Sequence, residues 1–286
     1  MTPSRLAEQL ARAGAPIVVA THPRSGTHLA IDLLRWQFAD CRSWKWPGQG
    51  HQQLYLDLDS LLPTHHTPID AGTALAIVRK ARRPILKTHA LPGFSPWRES
   101  RQVWTDWIAD GGKCISVYRD GRDVMSSYFL SCVRNGEVHG QDIGPFLRQC
   151  DHGYVPDPIV DLSRTKLWAH HVECWRAAPN ALSLKYERLV DQPADAIEQL
   201  GGFLGLEPRG RQPLLPPRFN SVLQSRLSRV FGWCPPSSAL ISPMPQRRQF
   251  KWIKMFTRDD RAFFDAESGD VLRRLGYVKS STWVNA

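Results

Sequence analysis

At 286 residues and 42% hydrophobic side chains, the chain can bury a full core, yet no apolar run approaches the roughly 20 residues a membrane span needs. Lysine and arginine total 37 against 27 acidic residues, and the net charge of +10 favours an anionic partner: nucleotide, nucleic acid or membrane surface. Six cysteines without CxxC or zinc spacing argue against a disulfide framework or metal site, and for a reduced, cytoplasmic protein.

In chain order, SRLAEQLARAG (4–14) reads as an amphipathic helix rather than a signal peptide. PIVVA (16–20) carries three β-branched residues in a row, which predicts a buried parallel strand. Leu29, Leu33, Leu34 and Phe38 fall at helical spacing and predict a helix over 27–39. The turn between them, THPRSGT, holds a glycine, hydroxyls and a cation. A helix start offers unpaired N–H groups and partial positive charge, and glycine admits a ligand close to the backbone. Phosphate is the usual guest of such a turn, and an ordinary N-capped strand–turn–helix is the alternative.

A Trp-rich polar stretch, CRSWKWPGQGHQQ, comes next, then a helix over 70–83 and a strand over 84–90, PILKTHA. KCISVYRD (113–120) is a third strand, feeding the helix GRDVMSSYFLSC. Arg119 ends that strand, and Ser127 lies two turns into the helix, so the pair can hold a second anion. Pairing of Arg119 with Asp120 or Asp123 is the alternative. A helix over 163–178, a strand over 181–189 (ALSLKYERL) and a helix opened by Pro193 follow. The stretch 207–249 is rich in Pro, Arg and Ser and reads as irregular, and RDDRAFFDAESGDVLRRLGY closes the chain as helix. This alternation predicts an α/β fold, a parallel β-sheet flanked by helices, in a single domain over 1–286.

In order, these segments resemble the signatures of the PAPS-dependent sulfotransferases. THPRSGTHL resembles the loop for the 5′-phosphosulfate end of the donor, and YRDGRDVMSSYF the element for its 3′-phosphate. LKTHALPG resembles the Lys-Thr-His-Leu-Pro segment with the catalytic histidine, LKYERLVDQP the strand end whose tyrosine lies near the adenine, and FKWIKMFT the tail over the nucleotide. The likeness runs from about residue 16 to 278. It implies a P-loop-like three-layer sandwich that moves a sulfuryl group from 3′-phosphoadenosine 5′-phosphosulfate, without a metal. It implies Arg24, Ser25, Gly26, Thr27 and His28 around the 5′-phosphate, Arg119 and Ser127 on the 3′-phosphate, and Tyr186 by the adenine. His89 becomes the base, with Lys87 and Arg24 balancing charge. The chain departs from the family at His28 and Leu29, where Thr-Trp is usual, and at the tail, where Arg247 and Arg248 stand in for Arg-Lys-Gly.

His28, beside the donor loop, is the rival base, and His171 reads as core or surface filler. Trp44, Trp46, Trp97 and Trp104 flank the catalytic strand and are candidates for lining an apolar acceptor pocket. The expected acceptor is a small hydrophobic alcohol or phenol, and the absence of a recognisable RNA module argues against a nucleic-acid partner. Two other functions compete. One is a P-loop kinase, which needs G-x-x-x-x-G-K-[ST] where this loop has one glycine and no lysine. The other is a non-catalytic nucleotide- or nucleic-acid-binding protein.

Overall fold

A computed structural model describes residues 2–46, 49–62, 65, 67–93, 95–150, 161–215, 238 and 250–285, and of 95–101 the backbone only. Five strands, β1 (Ile17–Thr21), β2 (Leu56–Asp57), β3 (Ile85–Thr88), β4 (Lys113–Tyr118) and β5 (Ala181–Lys185), form one sheet in the order β2-β3-β1-β4-β5. Every neighbouring pair is parallel. β1 is buried along its whole length, as its β-branched run predicts. From β1 the chain runs to the edge strand β2 and returns to β3, beside β1, then crosses to β4 and β5 on the other side. The crevice of such a sheet opens at this reversal, beyond the carboxyl ends of the strands.

The helices are α1 (Pro3–Ala11), α2 (Thr27–Gln37), α3 (Ala71–Val78), α4 (Ser95–Ala109), α5 (Gly121–Arg134), α6 (Gly144–Arg148), α7 (Arg164–Ala177), α8 (Tyr186–Asp191), α9 (Pro193–Leu204), α10 (Trp252–Met255) and α11 (Arg258–Arg274). They cover both faces of the sheet. Ile17 and Val19 point to one face, where they pack with α2 and α9, and Val18 points to the other, with α1, α3 and α4. This is the period-two alternation of a strand buried on both sides. A further cluster around Trp168, Phe146 and Phe264 joins α5, α6, α7, α10 and α11. The result is a three-layer α/β sandwich. Among the described residues, no helix is long and apolar enough to cross a membrane.

Several elements differ from the sequence reading. The strand expected over 181–189 stops at Lys185, and Tyr186–Asp191 turns into α8. Tyr186, Leu189 and Val190 stand at helical spacing and all pack into the core of the β1 face, which a continued strand would prevent. The helix expected over 70–83 is capped by the Asp70 carboxylate, which accepts from the Gly72 and Thr73 N–H groups, and it ends at Val78. The next residues turn back into β3, with Arg83 N–H donating to the Asp40 carbonyl at 2.8 Å. The helix α4 and the two-residue edge strand β2 were not expected. Within the stretch read as irregular, 207–215 forms neither helix nor strand, and 216–237 and 239–249 lie outside the described residues.

Candidate active site

The turn after β1 is built on two left-handed residues, Arg24 (φ 68°) and Gly26 (φ 112°), the latter capping α2. Glycine is required at 26 for two reasons. Its φ is one that side chains rarely adopt, and a Cβ there would stand 2.5 Å from the Tyr186 ring. The ring of Tyr186 therefore lies directly on the turn. The Arg119 guanidinium lies over that ring, 4.8 Å from its centroid, and also pairs with Asp123 at 3.6 Å. The exposed Arg24 reaches α5 and donates from Nε to Ser127 Oγ at 3.4 Å. Arg24, Gly26, Arg119, Ser127 and Tyr186 thus meet at the carboxyl ends of three adjacent strands. The expected pairing of Arg119 with an acid is also present, with Asp123, while Asp120 binds Arg122 at 2.6 Å.

Two anchors hold this wall. Glu187 accepts from the Asp120 N–H at 3.4 Å and from the Tyr277 hydroxyl at 2.9 Å, tying β4, α8 and the end of the chain together. Asp123 accepts from the N–H groups of Phe250 and Lys251 at 3.1 and 3.0 Å, fixing the segment that leads into α10. Phe250 has φ 78°, so this entry is a tight, left-handed corner. Arg247 and Arg248 precede it and lie outside the described residues.

The turn suits a phosphorylated nucleotide. Ser25 is buried, and its Oγ has no hydrogen-bond partner among the described residues. A buried hydroxyl of this kind is costly unless a ligand meets it. The N–H groups at the start of α2 and the cations Arg24 and Arg119 add the donors and charge a phosphate needs. Thr27 differs in part from expectation. Its hydroxyl shares a 2.6 Å hydrogen bond with Thr21 Oγ1 and so braces the turn from within.

His89 stands at the end of β3, across from the turn. Its Nδ1 lies 2.6 Å from the Thr21 carbonyl oxygen, an acceptor only, so Nδ1 carries the proton and donates. Nε2 is then the lone-pair nitrogen. Burial and the nearby Lys87 ammonium push the His89 pKa well below 6.5, so the ring is neutral at pH 7. Lys87 is paired with Asp57 at 2.7 Å. Behind it, buried Asp59 accepts from the Thr88 hydroxyl at 2.7 Å and from the His89 N–H at 3.0 Å. Burial and the Asp57 charge push its carboxyl up to about 6.

His28 stays beside the turn, in the first turn of α2, but it is held by different partners from His89. Its Nδ1 lies 3.2 Å from Ser238 Oγ, and its ring meets Tyr55 edge to face. Burial, then Lys87 and Arg24, lower its pKa to about 4. His171 is core: it is buried in α7 and packs edge to face on His22. The tryptophans do not gather into a pocket. Trp104 is buried against Trp107 in α4, Trp44 and Trp46 are exposed, Trp44 beside Lys80 ahead of β3, and the Trp97 side chain is outside the description.

Sequence reasoning missed Asp57, Asp59 and Asp123. Asp57 and Asp59 sit on and just after a two-residue strand, too short to show a period, although two aspartates at alternate positions in LDLD were a usable sign. Asp123 appeared only as a rival partner for Arg119.

The sulfotransferase domain family profile matches residues 15–224 of the chain. Among solved structures, mouse sulfotransferase SULT7A1 complexed with PAP superposes with a TM-score of 0.52 at 16% identity, covering 94% of this chain and 89% of that one. Retinol dehydratase in complex with androsterone and inactive cofactor PAP gives a TM-score of 0.50 at 16% identity, covering 95% and 85%. No curated protein sequence matches significantly.

The contact between the turn and Tyr186 is testable. Gly26→Ala is expected to destabilise the fold by about 1–2 kcal/mol from its left-handed backbone, with an added clash against the ring. Placed in a Tyr186→Ala background, the same change should cost measurably less in urea unfolding, and equal costs would show that the ring and the turn do not interact.

Proposed function

This chain belongs to the sulfotransferase family, and we propose that it moves a sulfuryl group from 3′-phosphoadenosine 5′-phosphosulfate to a hydroxyl or amine of a small hydrophobic acceptor, with His89 as general base. The observation that most supports this reading is the meeting of Arg24, Ser127, Arg119 and Tyr186 opposite a neutral His89 whose Nδ1 proton is held by the Thr21 carbonyl. The PAP held by the mouse relative of the same fold supports the donor. The androsterone held by retinol dehydratase is in keeping with a small apolar acceptor, such as an alcohol or phenol.

When bound, the donor supplies the sulfuryl group and the phosphate that departs from it. The protein's part is positioning and charge. The N–H groups of residues 25–28 and the Ser25 hydroxyl hold the 5′-phosphate, and Arg24 meets the charge that grows there. Arg119 and Ser127 hold the 3′-phosphate, with the Tyr186 ring beside them for the base. His89 Nε2 takes the acceptor's proton as its oxygen attacks, and the Thr21 carbonyl steadies the positive charge that the ring gains. Lys87, kept in place by Asp57, adds positive potential next to His89. The unit is the single domain 1–286, since the C-terminal segment from Phe250 onward is anchored on Asp123 beside the donor wall.

His89→Ala is expected to lower kcat by roughly 10²–10⁴-fold with an acceptor of high pKa, while the donor Kd stays nearly unchanged. In the wild type the base must be neutral, and its pKa lies well below 6.5. Activity should therefore hold as pH falls to 6.5 and be lost only below it. A variant with near-normal turnover would remove His89 from the role.

Arg119→Ala tests the donor. It should weaken binding of adenosine 3′,5′-bisphosphate by roughly 2 kcal/mol or more, as expected for a charge-assisted contact, and barely alter binding of adenosine 5′-phosphate. Calorimetry that finds the wild type equally fond of both nucleotides would contradict the assignment.

A further inference from the structure

The chain buries Trp104, Trp107, Trp168, Trp175, Trp252 and Trp283, yet leaves Trp44 and Trp46 exposed by 51% and 64%. These two indoles are neighbours, edge to face, with centroids 5.4 Å apart. The segment that carries them is held in place: Arg35 Nε donates to Ser43 Oγ at 2.9 Å, and Ser43 Oγ donates to the Leu54 carbonyl at 2.6 Å. The Lys80 ammonium lies over Trp44 and also donates to the Gln53 side chain at 2.7 Å. Segments 40–46 and 79–83 together carry Arg42, Lys45, Arg79, Lys80, Arg82 and Arg83 against one acid, Asp40. Asp40 itself is paired with Arg82 at 3.3 Å. Residues 79–83 immediately precede β3, so the patch lies at the amino end of the strands, and His89 lies at the carboxyl end.

We propose that this patch docks the protein on an anionic membrane surface, with Trp44 and Trp46 entering the headgroup layer, Lys80 beside them and the other basic residues of the two segments adding positive charge. Indoles prefer that layer because one end is apolar and the other hydrogen-bonds, and basic residues there gain from acidic lipids. A nucleic acid fits less well. The two rings stand at 87° to each other, and one face of Trp44 is taken by Lys80, so consecutive bases find no pair of parallel platforms. Docking by this edge leaves the carboxyl-end crevice turned away from the surface. The proposal does not rest on the sulfuryl-transfer reading.

The test is co-sedimentation of the full chain with vesicles of phosphatidylcholine alone and of phosphatidylcholine mixed with phosphatidylglycerol, followed also by tryptophan fluorescence. Binding is expected for the mixed vesicles only, with a blue-shifted emission and a steep loss in high salt. Trp44→Ala/Trp46→Ala should lower the partition coefficient by roughly tenfold or more. Each of Arg79→Ala and Arg82→Ala should lower it by roughly fivefold. Thermal melts and turnover of a soluble acceptor should match the wild type, because these side chains are exposed and remote from His89. Absence of binding to the mixed vesicles, or equal binding by the tryptophan variant, would overturn the proposal. So would an oligonucleotide that binds through the two tryptophans while vesicles do not.

Discussion

The hydrogen bond from His89 Nδ1 to the Thr21 carbonyl, 2.6 Å long, joins the two halves of the site. One end of it belongs to the last residue of β1, where the turn begins, the other to the residue that follows β3. It sets the tautomer of the ring, aims Nε2 away from the turn, and keeps the imidazole in register with the turn after β1. Because β1 and β3 are parallel neighbours, with Ala20 opposite Thr88, the bond forms where their carboxyl ends emerge together. Parallel pairing and the change of direction at β1 are what make this bond, and the site around it, possible.

The electrostatics follow from the same arrangement. The site is lined with cations, Arg24, Lys87 and Arg119, and such a field opposes a proton on any nearby imidazole. Burial and Lys87 together hold His89 neutral, which suits a base, and His28 is neutral for the same reasons. What separates the two histidines is their hydrogen bonding. His89 is tied to the Thr21 carbonyl, and His28 is tied to Ser238. The acids are placed behind the cations as supports: Asp57 on Lys87, Asp59 on the Thr88–His89 backbone step, Asp123 beside Arg119. Each positions a group that faces the crevice.

Much of this was legible in the sequence where local signals were strong. The β-branched run 17–19 marked the central strand, and the glycine, hydroxyls and arginine after it marked the turn into α2. Arg119 and Ser127 were picked out from their places at a strand end and two turns into the next helix, and the structure sets Arg119 over the Tyr186 ring and Ser127 on Arg24. Gly26 was identified as a close approach, but not the Tyr186 ring that approaches it, since that contact spans 160 residues. The extension of the strand over 181–189 failed because the helical spacing of Tyr186, Leu189 and Val190 covers little more than one turn and was not weighed against the strand before it. Asp57 and Asp59 were missed for a related reason. The strand that carries Asp57 is two residues long and is defined only by its pairing with Leu86 and Lys87. The tryptophans were read from proximity in sequence to β3, whereas the fold sends Trp104 into a helix core and leaves Trp44 and Trp46 exposed at the amino end of the strands.

The most direct test of the central bond is nitrogen NMR of the protein labelled in its histidine rings, with His89 assigned by comparison with His89→Gln. The account predicts a neutral ring at pH 7, protonated at Nδ1 and bare at Nε2, that titrates well below pH 6.5. A ring protonated at Nε2, or an imidazolium at neutral pH, would contradict it.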